Sequence, residues 1–140
     1  MICVARTSGG PASPAGITLL AVDAKSRGIG TVPLATIAGD KQFEVTFSRV
    51  EVPPERRLGP QDQAGVPLGK ILQKSAVCKC AEMVGGAQRV LDMATHYARE
   101  RQQFGRPIGR FQAVQHHCAN MLIGIEGSRY LTYKAAWMLK

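Results

Sequence analysis

The sequence predicts an α+β protein, in which a partial antiparallel β-sheet or β-barrel precedes a long α-hairpin that belongs to an up-down helical bundle. Short β-forming runs bounded by turn residues fill positions 1–58, as in the strands of an antiparallel sheet. Apolar residues then recur with a period near 3.6 over positions 70–140, as in amphipathic helices. The Gly- and Pro-rich segment 59–69, GPQDQAGVPLG, separates the two patterns and is predicted to be a linker.

Turn residues delimit the predicted strands. The cluster at 8–14, SGGPASP, consists of residues that favour turns. The clearest strand lies at 44–52, where apolar side chains keep a period of two on either side of a break at positions 48–49. The Pro53-Pro54 pair ends this strand, because proline cannot donate a hydrogen bond to the sheet. The predicted strands are 2–5, 16–23, 30–35 and 44–52.

Two apolar stripes predict two long helices. The first helix covers about residues 68–102, Gly105-Arg106-Pro107 interrupts the pattern, and a second stripe begins near Val114. Three or four strands cannot close a barrel, and two helices with broad apolar stripes need further packing partners. We therefore expect the chain to be a piece of a larger protein. The stripe of the first helix contains Leu72, Ala76, Cys80, Met83, Val84, Ala87, Val90, Leu91 and Ala94.

The charge of the chain indicates an anionic partner or a basic solvated surface. The formal net charge is +8 and the pI is 9.7. The charge keeps both a phosphorylated small molecule and a nucleic acid open as partners. The nucleic acid is disfavoured, because aromatic residues do not interleave with the basic ones, no zinc-finger spacing occurs, and basic charge is often only solvated surface. No long apolar run or signal-peptide pattern is present, so we expect no membrane span. A bacterial cytoplasm and a mitochondrial matrix both fit as compartments.

The cysteines and histidines form no metal-binding pattern. Cys78 and Cys80 point about 200° apart on a helix, which suits neither a disulfide nor a shared tetrahedral metal. His116 and His117 are neighbours rather than an i, i+4 pair. We therefore expect no metal site, and reduced thiols that act mainly as small core residues.

The segment 96–112, HYARERQQFGRPIGRFQ, contains four arginines and marks the junction between the predicted helices. Cationic residues are favourable at a helix C-terminus, so Arg99 is interpreted as a solvated charge. That explanation does not cover the Gln-Phe-Gly-Arg-Pro-Ile run that follows it. Arginine binds diphosphate through two hydrogen bonds, and Phe104 and Phe111 offer flat apolar faces to a purine. The residue types therefore fit a nucleotide-like ligand, although both phenylalanines also suit a role in holding the turn.

The junction and its surroundings resemble the acyl-coenzyme A dehydrogenase family, flavoproteins that oxidise the Cα–Cβ bond of acyl thioesters. The resemblance runs from Ala87 to Leu139 and includes the stretches 16–23 (GITLLAVD) and 38–59 (AGDKQFEVTFSRVEVPPERRLG). It implies the second half of the family's middle β-domain and the first two helices of its C-terminal domain. The matching signature is Tyr97, Glu100, Arg101, Gln103, Phe104, Gly105, Pro107, Ile108, Phe111, Gln112, Ala119, Met121, Arg129 and Ala135-Ala136-Trp137.

This resemblance implies FAD as the cofactor and a homodimer or homotetramer in which the junction contacts the FAD of a neighbouring subunit. Residues 101–103 are implied to hold the diphosphate, Phe104 and Ile108 to flank the adenine end, and Phe111 with Gln112 to complete the contact. The roles of Arg106 and Arg110 stay undecided. The implied cofactor-binding residues are Arg101, Gln102, Gln103, Phe104, Ile108, Phe111 and Gln112.

The implied reaction is the α,β-dehydrogenation of an acyl-CoA thioester to trans-2-enoyl-CoA, with electron-transfer flavoprotein as the electron acceptor. It needs a carboxylate base, which the resemblance places either past Lys140 or at Ser75, where a serine cannot serve. We therefore expect no catalytic residue in this chain and no activity from the chain alone. Ser13, in a loop near the implied nucleotide arm of the thioester, is a weaker candidate for substrate binding. Lys74 is another, although an exposed, solvated helix lysine is the favoured explanation for it.

Two other functions stay open. A catalytically inactive relative, used as an assembly or partner-binding module, would form specific complexes without flavin. A basic nucleic-acid-binding module would show an affinity that falls steeply with salt, and charge alone supports it. The reaction subtype is open as well, because the resemblance extends to nitroalkane oxidases, acyl-CoA oxidases and decarboxylating members.

Overall fold

The computed structural model describes residues 1–11, 13 and 15–139 and confirms the α+β class. The chain divides into two compact units, Met1–Gly69 and Lys70–Lys140. Strands dominate the first unit, and two helices joined by a short β-hairpin make up the second. No helix in the described part of the chain is both long enough and apolar enough to span a bilayer.

Five strands form two antiparallel sheets in the first unit. They are β1 (Ile2–Arg6), β2 (Ile17–Ala21), β3 (Ile29–Leu34), β4 (Gln42–Phe47) and β5 (Arg57–Leu58). β2 lies between β1 and β5, while β3 and β4 pair with each other. The described strands therefore form open sheets, as the prediction of a partial sheet requires.

The predicted strand at 44–52 is wrong in its second half. β4 ends at Phe47, and Arg49 adopts a left-handed conformation with φ of 52°, which leaves the extended path. A 3-10 turn follows at Pro54–Arg56. The sequence did not predict β5, because a strand of two residues carries no periodic signal.

A buried polar cluster ties the segment before the first helix to the sheet. Thr18 in β2 is only 2% exposed, and its hydroxyl accepts the backbone N–H of Asp62 at 2.9 Å. The same hydroxyl lies 2.6 Å from the hydroxyl of Thr7, which also donates to the Asp62 carboxylate. Because each buried polar group has a hydrogen-bond partner, the cluster stabilises this connection instead of opposing folding.

Two long helices follow, α1 (Gly65–Glu100) and α2 (Gln112–Met138). α1 begins inside the predicted linker 59–69 and ends two residues before the predicted end. Pro67 does not prevent the early start, because a proline in the first turn lacks an N–H that the helix would leave unpaired in any case.

The helices pack along a narrow seam. Buried or half-buried side chains recur every seventh residue on both helices, as in a coiled coil. Other side chains of the predicted stripe stay open, including Leu72, Met83 and Val90 at 60%, 67% and 61% exposure. The two helices therefore bury only part of their apolar surface. The seam contains Val77, Val84, Leu91 and Ala98 in α1 and Cys118, Ile125 and Thr132 in α2.

All four cysteines are free thiols. Cys3 and Cys118 are half-buried, but Cys78 and Cys80 are exposed, so the expected core role is wrong for this pair. Neither cysteine belongs to the buried seam positions of α1, and Cys80 lines the open groove beside α2. Within the described residues, no three His, Cys, Asp or Glu side chains gather closely enough to hold a metal ion.

Candidate functional site

The junction between α1 and α2 is a tight β-hairpin. Its strands are β6 (Gln102–Gln103) and β7 (Arg106–Pro107), which pair antiparallel. The two turn residues, Phe104 and Gly105, both have left-handed backbones with φ of 53° and 76°. Such a pair is typical of a type I′ turn, where Asn-Gly is preferred and a bulky first residue is unusual. The sequence predicted an interruption here, and the structure gives it a defined register.

Backbone contacts hold this hairpin against the end of α1. The Arg101 N–H donates to the Tyr97 carbonyl at 2.8 Å, and the Arg101 carbonyl accepts the Ile108 N–H at 2.8 Å. A 3-10 turn at Ile108–Arg110 then leads into α2. A Cβ atom at Gly109 would lie 2.8 Å from the Ala98 carbonyl oxygen, so a glycine is needed where this turn meets α1.

Two phenylalanines and an arginine stack at the hairpin. The rings of Phe104 and Phe111 meet edge to face, with centroids 6.0 Å apart. The guanidinium carbon of Arg106 lies 4.3 Å from the centroid of the Phe111 ring, within the range of a cation–π interaction. Phe111 is half-buried, whereas Phe104 is 90% exposed. The stack therefore presents an apolar ring and a cation to the surroundings.

The junction is strongly electropositive. The segment from Arg101 to Ile125 contains no Asp or Glu. Arg101, Arg106 and Arg110 make no side-chain hydrogen bond or ion pair with any residue that the structure describes. α2 also begins without an acidic residue in its first turn and without a side-chain cap. Since a helix N-terminus carries partial positive charge, an anion would be favourable here.

The seven predicted cofactor-binding residues all lie in this junction. Arg101 follows the last residue of α1, Gln102 and Gln103 form β6, and Phe104 occupies the turn. Ile108 opens the 3-10 turn and is half-buried, Phe111 precedes α2, and Gln112 is its first residue. The structure brings Phe104 and Phe111 into contact.

The stacking of Arg106 on Phe111 was not predicted from the sequence. The position of the arginine over Phe111 depends on the pairing of Gln103 with Arg106, which leaves only two residues in the turn. A left-handed conformation is unusual for a phenylalanine, so the two-residue turn could not be predicted from the residue types. The Gly-Arg-Pro run indicated a break and carried no information on register.

The two weaker candidates lie in different units. The Ser13 hydroxyl accepts the N–H of Ala15 at 3.2 Å, and the Ser13 carbonyl accepts the Arg6 guanidinium at 3.0 Å. These contacts organise the local loop. Lys74 is exposed on α1 and has no hydrogen bond or ion pair among the described residues.

Three glutamates of the helical unit each have a partner on their own helix. Glu82 pairs with Lys79 at 2.7 Å, and Glu100 pairs with His96 at 3.3 Å, both on the surface of α1. Glu126 pairs with Arg129 at 3.1 Å on α2. Each partner lies three or four residues away along the same helix, which is the spacing of ordinary helix-surface pairs. These geometries point to structural roles for the three glutamates.

An apolar groove of about 810 Å³ runs between the two helices. Its walls contain Met83 and Val90 from α1 and Met121 and Leu131 from α2, all exposed. Among the residues that the structure describes, no charged side chain lines it. A continuous apolar surface of this kind favours a packing partner over water.

Comparison with known proteins places this geometry in context. A family profile described as the acyl-CoA dehydrogenase C-terminal domain matches residues 67–140. Glutaryl-CoA dehydrogenase of Desulfococcus multivorans is 44% identical over 94 residues, covering 66% of this chain and 24% of that protein. The caffeyl-CoA reductase–Etf complex subunit CarC of Acetobacterium woodii is 32% identical over 127 residues, covering 89% and 34%. The solved structure of PigA with FAD and proline matches with a TM-score of 0.81 and 26% identity, covering 89% of this chain and 33% of PigA.

By name, one of these relatives is a dehydrogenase, one is a subunit of a reductase complex, and PigA was solved with FAD. The chain belongs to the acyl-CoA dehydrogenase family, as the junction signature indicated. It spans between 24% and 34% of the length of these two curated relatives.

Proposed function

We propose that this chain supplies part of the FAD site of an enzyme that dehydrogenates acyl-CoA thioesters to trans-2-enoyl-CoA. The observation that carries the proposal is the stack of Phe104, Phe111 and Arg106 within an acid-free, arginine-rich hairpin. A dinucleotide cofactor combines a diphosphate with a purine ring, and the hairpin offers unpaired guanidinium groups beside an exposed aromatic ring. The residues present therefore fit the group.

The seven predicted cofactor-binding residues each have a part in holding the cofactor. Arg101, with Gln102 and Gln103, binds the diphosphate through charge-assisted and amide hydrogen bonds. Phe104 and Ile108 flank the adenine end as apolar surfaces, and Phe111 with Gln112 completes the contact. When bound, FAD accepts the hydride that leaves the β-carbon of the thioester. The chain's own residues bind and orient the cofactor.

We assign the base that the reaction needs to none of the described carboxylates of the helical unit, since Glu82, Glu100 and Glu126 each pair with a neighbour on their own helix and Asp92 accepts a hydrogen bond from Gln88. The 140-residue chain alone therefore has no turnover. The complete site forms in a homodimer or homotetramer, in which the junction contacts the FAD of a neighbouring subunit. Acyl-CoA is the substrate and electron-transfer flavoprotein accepts the electrons, and the Etf complex of the CarC relative is consistent with this partner.

A matched pair of variants tests the FAD site. Arg99 and Arg101 are two exposed arginines at the end of α1, so replacing either by glutamine removes the same charge from nearly the same place. We expect Arg101→Gln to weaken FAD binding by about tenfold or more, because a charge-assisted hydrogen bond is lost. Arg99→Gln should change it little. Flavin fluorescence and absorbance during FAD titration of the purified chain measure both.

Two results would contradict the proposal. An equal loss of FAD affinity in Arg99→Gln and Arg101→Gln would show that only net charge attracts the flavin. Turnover of acyl thioesters by the 140-residue chain, followed with ferricenium as electron acceptor, would show that a base is present and that the chain is catalytically complete.

The apolar groove favours a second candidate, an assembly module without catalysis. About 810 Å³ of groove with no charged lining residue suits a packing partner and offers no base. This candidate predicts specific oligomers that contain no flavin. Sedimentation analysis with detection at protein and flavin wavelengths separates the two functions, since the FAD proposal requires flavin to sediment with the protein.

A further inference from the structure

We propose that Arg106 is a specificity-determining residue of the junction, which selects ligands that carry a diphosphate. This inference rests on the proposed FAD site and adds a residue for which the family resemblance implies no role. The Arg106 guanidinium stacks on Phe111 with 4.3 Å between its carbon and the ring centroid. Stacking fixes the plane of the guanidinium and occupies one of its faces. The N–H groups along its edge stay available, and an oriented fork of this kind matches a diphosphate.

The charge of Arg106 has no partner among the residues that the structure describes. No hydrogen bond or ion pair joins its side chain to any residue within the described part of the chain. The nearest acidic residues in the sequence are Glu100 and Glu126, and these pair with His96 and Arg129. An oriented guanidinium without a carboxylate therefore faces outward, as expected of a group that meets an anion from another molecule.

The hairpin register places Arg106 among the proposed cofactor contacts. Arg106 pairs with Gln103 across the hairpin, and Phe111, on which it stacks, meets Phe104 edge to face. A diphosphate held by Arg101 and the neighbouring glutamines would then find Arg106 on the opposite strand. Arg101 and Arg106 would then contact the diphosphate from the two sides of one hairpin.

Arg110 provides the matched comparison. It lies four residues further on, in the 3-10 turn, is exposed and carries the same charge. The only cation–π contact found among the described residues belongs to Arg106, so nothing aromatic orients Arg110. Lysine at either position keeps the charge but loses the planar fork.

The test compares Arg106→Lys with Arg110→Lys in the full 140-residue chain, using FAD, ADP and adenosine as probes. Flavin fluorescence gives the FAD affinity, and displacement of FAD gives the other two. We expect Arg106→Lys to weaken ADP binding by about tenfold, since two charge-assisted hydrogen bonds become one. Adenosine binding should stay within about twofold, because adenosine has no phosphate. Arg110→Lys should leave both unchanged.

The outcomes separate this inference from the proposed function. If the unsubstituted chain binds neither FAD nor ADP, the junction does not hold the cofactor with its own residues, and the role of Arg106 fails with that part of the proposed function. If the chain binds both but Arg106→Lys matches Arg110→Lys, only the role of Arg106 is refuted. A parallel loss of ADP and adenosine affinity would also refute it, because Arg106 would then act on the turn. Circular dichroism at 222 nm checks that the helices of both variants are intact.

Discussion

The side chain of Arg129 in α2 donates a 2.7 Å hydrogen bond to the amide oxygen of Gln88 in α1, and so joins the two helices. Each partner is held in place by its own helix. The Gln88 amide donates to Asp92 at 2.9 Å, and Arg129 donates to Glu126 at 3.1 Å. The Glu126 hydrogen bond is the main reason that the pKa of Arg129 is raised above its ordinary value. A polar chain of four side chains therefore sets the register of the helix pair.

A double-mutant cycle tests this register contact. We expect Gln88→Leu and Arg129→Leu each to lower the free energy of unfolding. The double variant should lose less than the sum of the two single losses, because either substitution alone already removes the shared hydrogen bond. Arg89→Leu combined with Arg129→Leu is the control, since Arg89 is exposed and has no hydrogen bond or ion pair among the described residues. Urea unfolding followed by circular dichroism measures each free energy. Additive losses in the Gln88 cycle would show that the bond contributes nothing.

The packing of the 3-10 turn on α1 yields a second prediction. A Cβ atom at Gly109 would come within 2.8 Å of the Ala98 carbonyl oxygen, and a backbone atom cannot rotate away. Gly109→Ala should therefore cost about 1–3 kcal/mol of unfolding free energy, as overpacking does. Gly127→Ala should instead stabilise the chain by about 0.4–1 kcal/mol, because Gly127 is an exposed helix residue with open space around it. Thermal unfolding should give a lower melting temperature for Gly109→Ala and a higher one for Gly127→Ala. A change in the same direction in both variants would contradict the prediction.

The sequence predicted those parts of the fold that rest on periodic burial. The helices appear within a few residues of the predicted bounds, because each repeats its apolar pattern over many turns. β5 and the end of β4 were missed, since a pair of residues and a left-handed Arg49 leave no periodic trace. The depth of burial of each apolar side chain was also unpredictable, because Leu91 is buried while the adjacent Val90 is 61% exposed.

The candidate site was predictable as a set of residues but not as a geometry. The Arg-x-Gln-Phe-Gly signature located the junction, yet the stack of Arg106 on Phe111 depends on a turn of two residues. A phenylalanine with φ of 53° would not be assigned to that turn on propensity. The role of Arg106 could therefore be inferred only once the hairpin register was known.

A substitution of Phe104 should change FAD binding without lowering the stability of the fold. Its ring is 90% exposed and its backbone is left-handed, so the phenylalanine side chain contributes little to the stability of the fold. Phe104→Asn should keep or raise the melting temperature, because Asn-Gly is the preferred type I′ sequence. FAD binding should weaken by about tenfold, the loss expected when a base loses an aromatic stacking partner.

Gly105→Ala is the contrasting variant for the same turn. Gly105 has φ of 76°, so alanine there strains the turn and should lower the melting temperature. Calorimetry and FAD titration of both variants check the separation. Unchanged FAD affinity in Phe104→Asn would exclude a stacking role for the ring.

The buried seam, not the broad apolar stripe, should account for the stability of the helix pair. Leu91 is 5% exposed, whereas Met93 on the same helix is 57% exposed. Leu91→Ala should cost about 2–5 kcal/mol, because it leaves a cavity between the helices. Met93→Ala should change stability by less than about 0.5 kcal/mol, as surface substitutions usually do. Chemical unfolding of the two variants measures the difference, and similar losses would show that the seam is not the core.

Asp40 gives the first unit a pH-dependent contact. The Thr36 hydroxyl and the Gln42 amide each donate a 2.6 Å hydrogen bond to its carboxylate. These bonds, that of Thr36 above all, hold the pKa of Asp40 below its ordinary value. A depressed pKa in the folded state means that the charged form is favoured by folding. The resulting stability is present above the unfolded-state pKa and is lost as the pH falls through the folded-state pKa.

Removing the Thr36 hydroxyl should therefore raise the pKa of Asp40 towards its ordinary value. Thr36→Val keeps the shape of the side chain and deletes the donor. Thr31→Val is the matched control, because Thr31 lies in β3 and has no hydrogen bond to Asp40. Carbon-13 NMR of the Asp40 carboxyl during an acid titration measures both. Equal titration midpoints in the two variants would show that the Thr36 hydrogen bond does not stabilise the charged carboxylate.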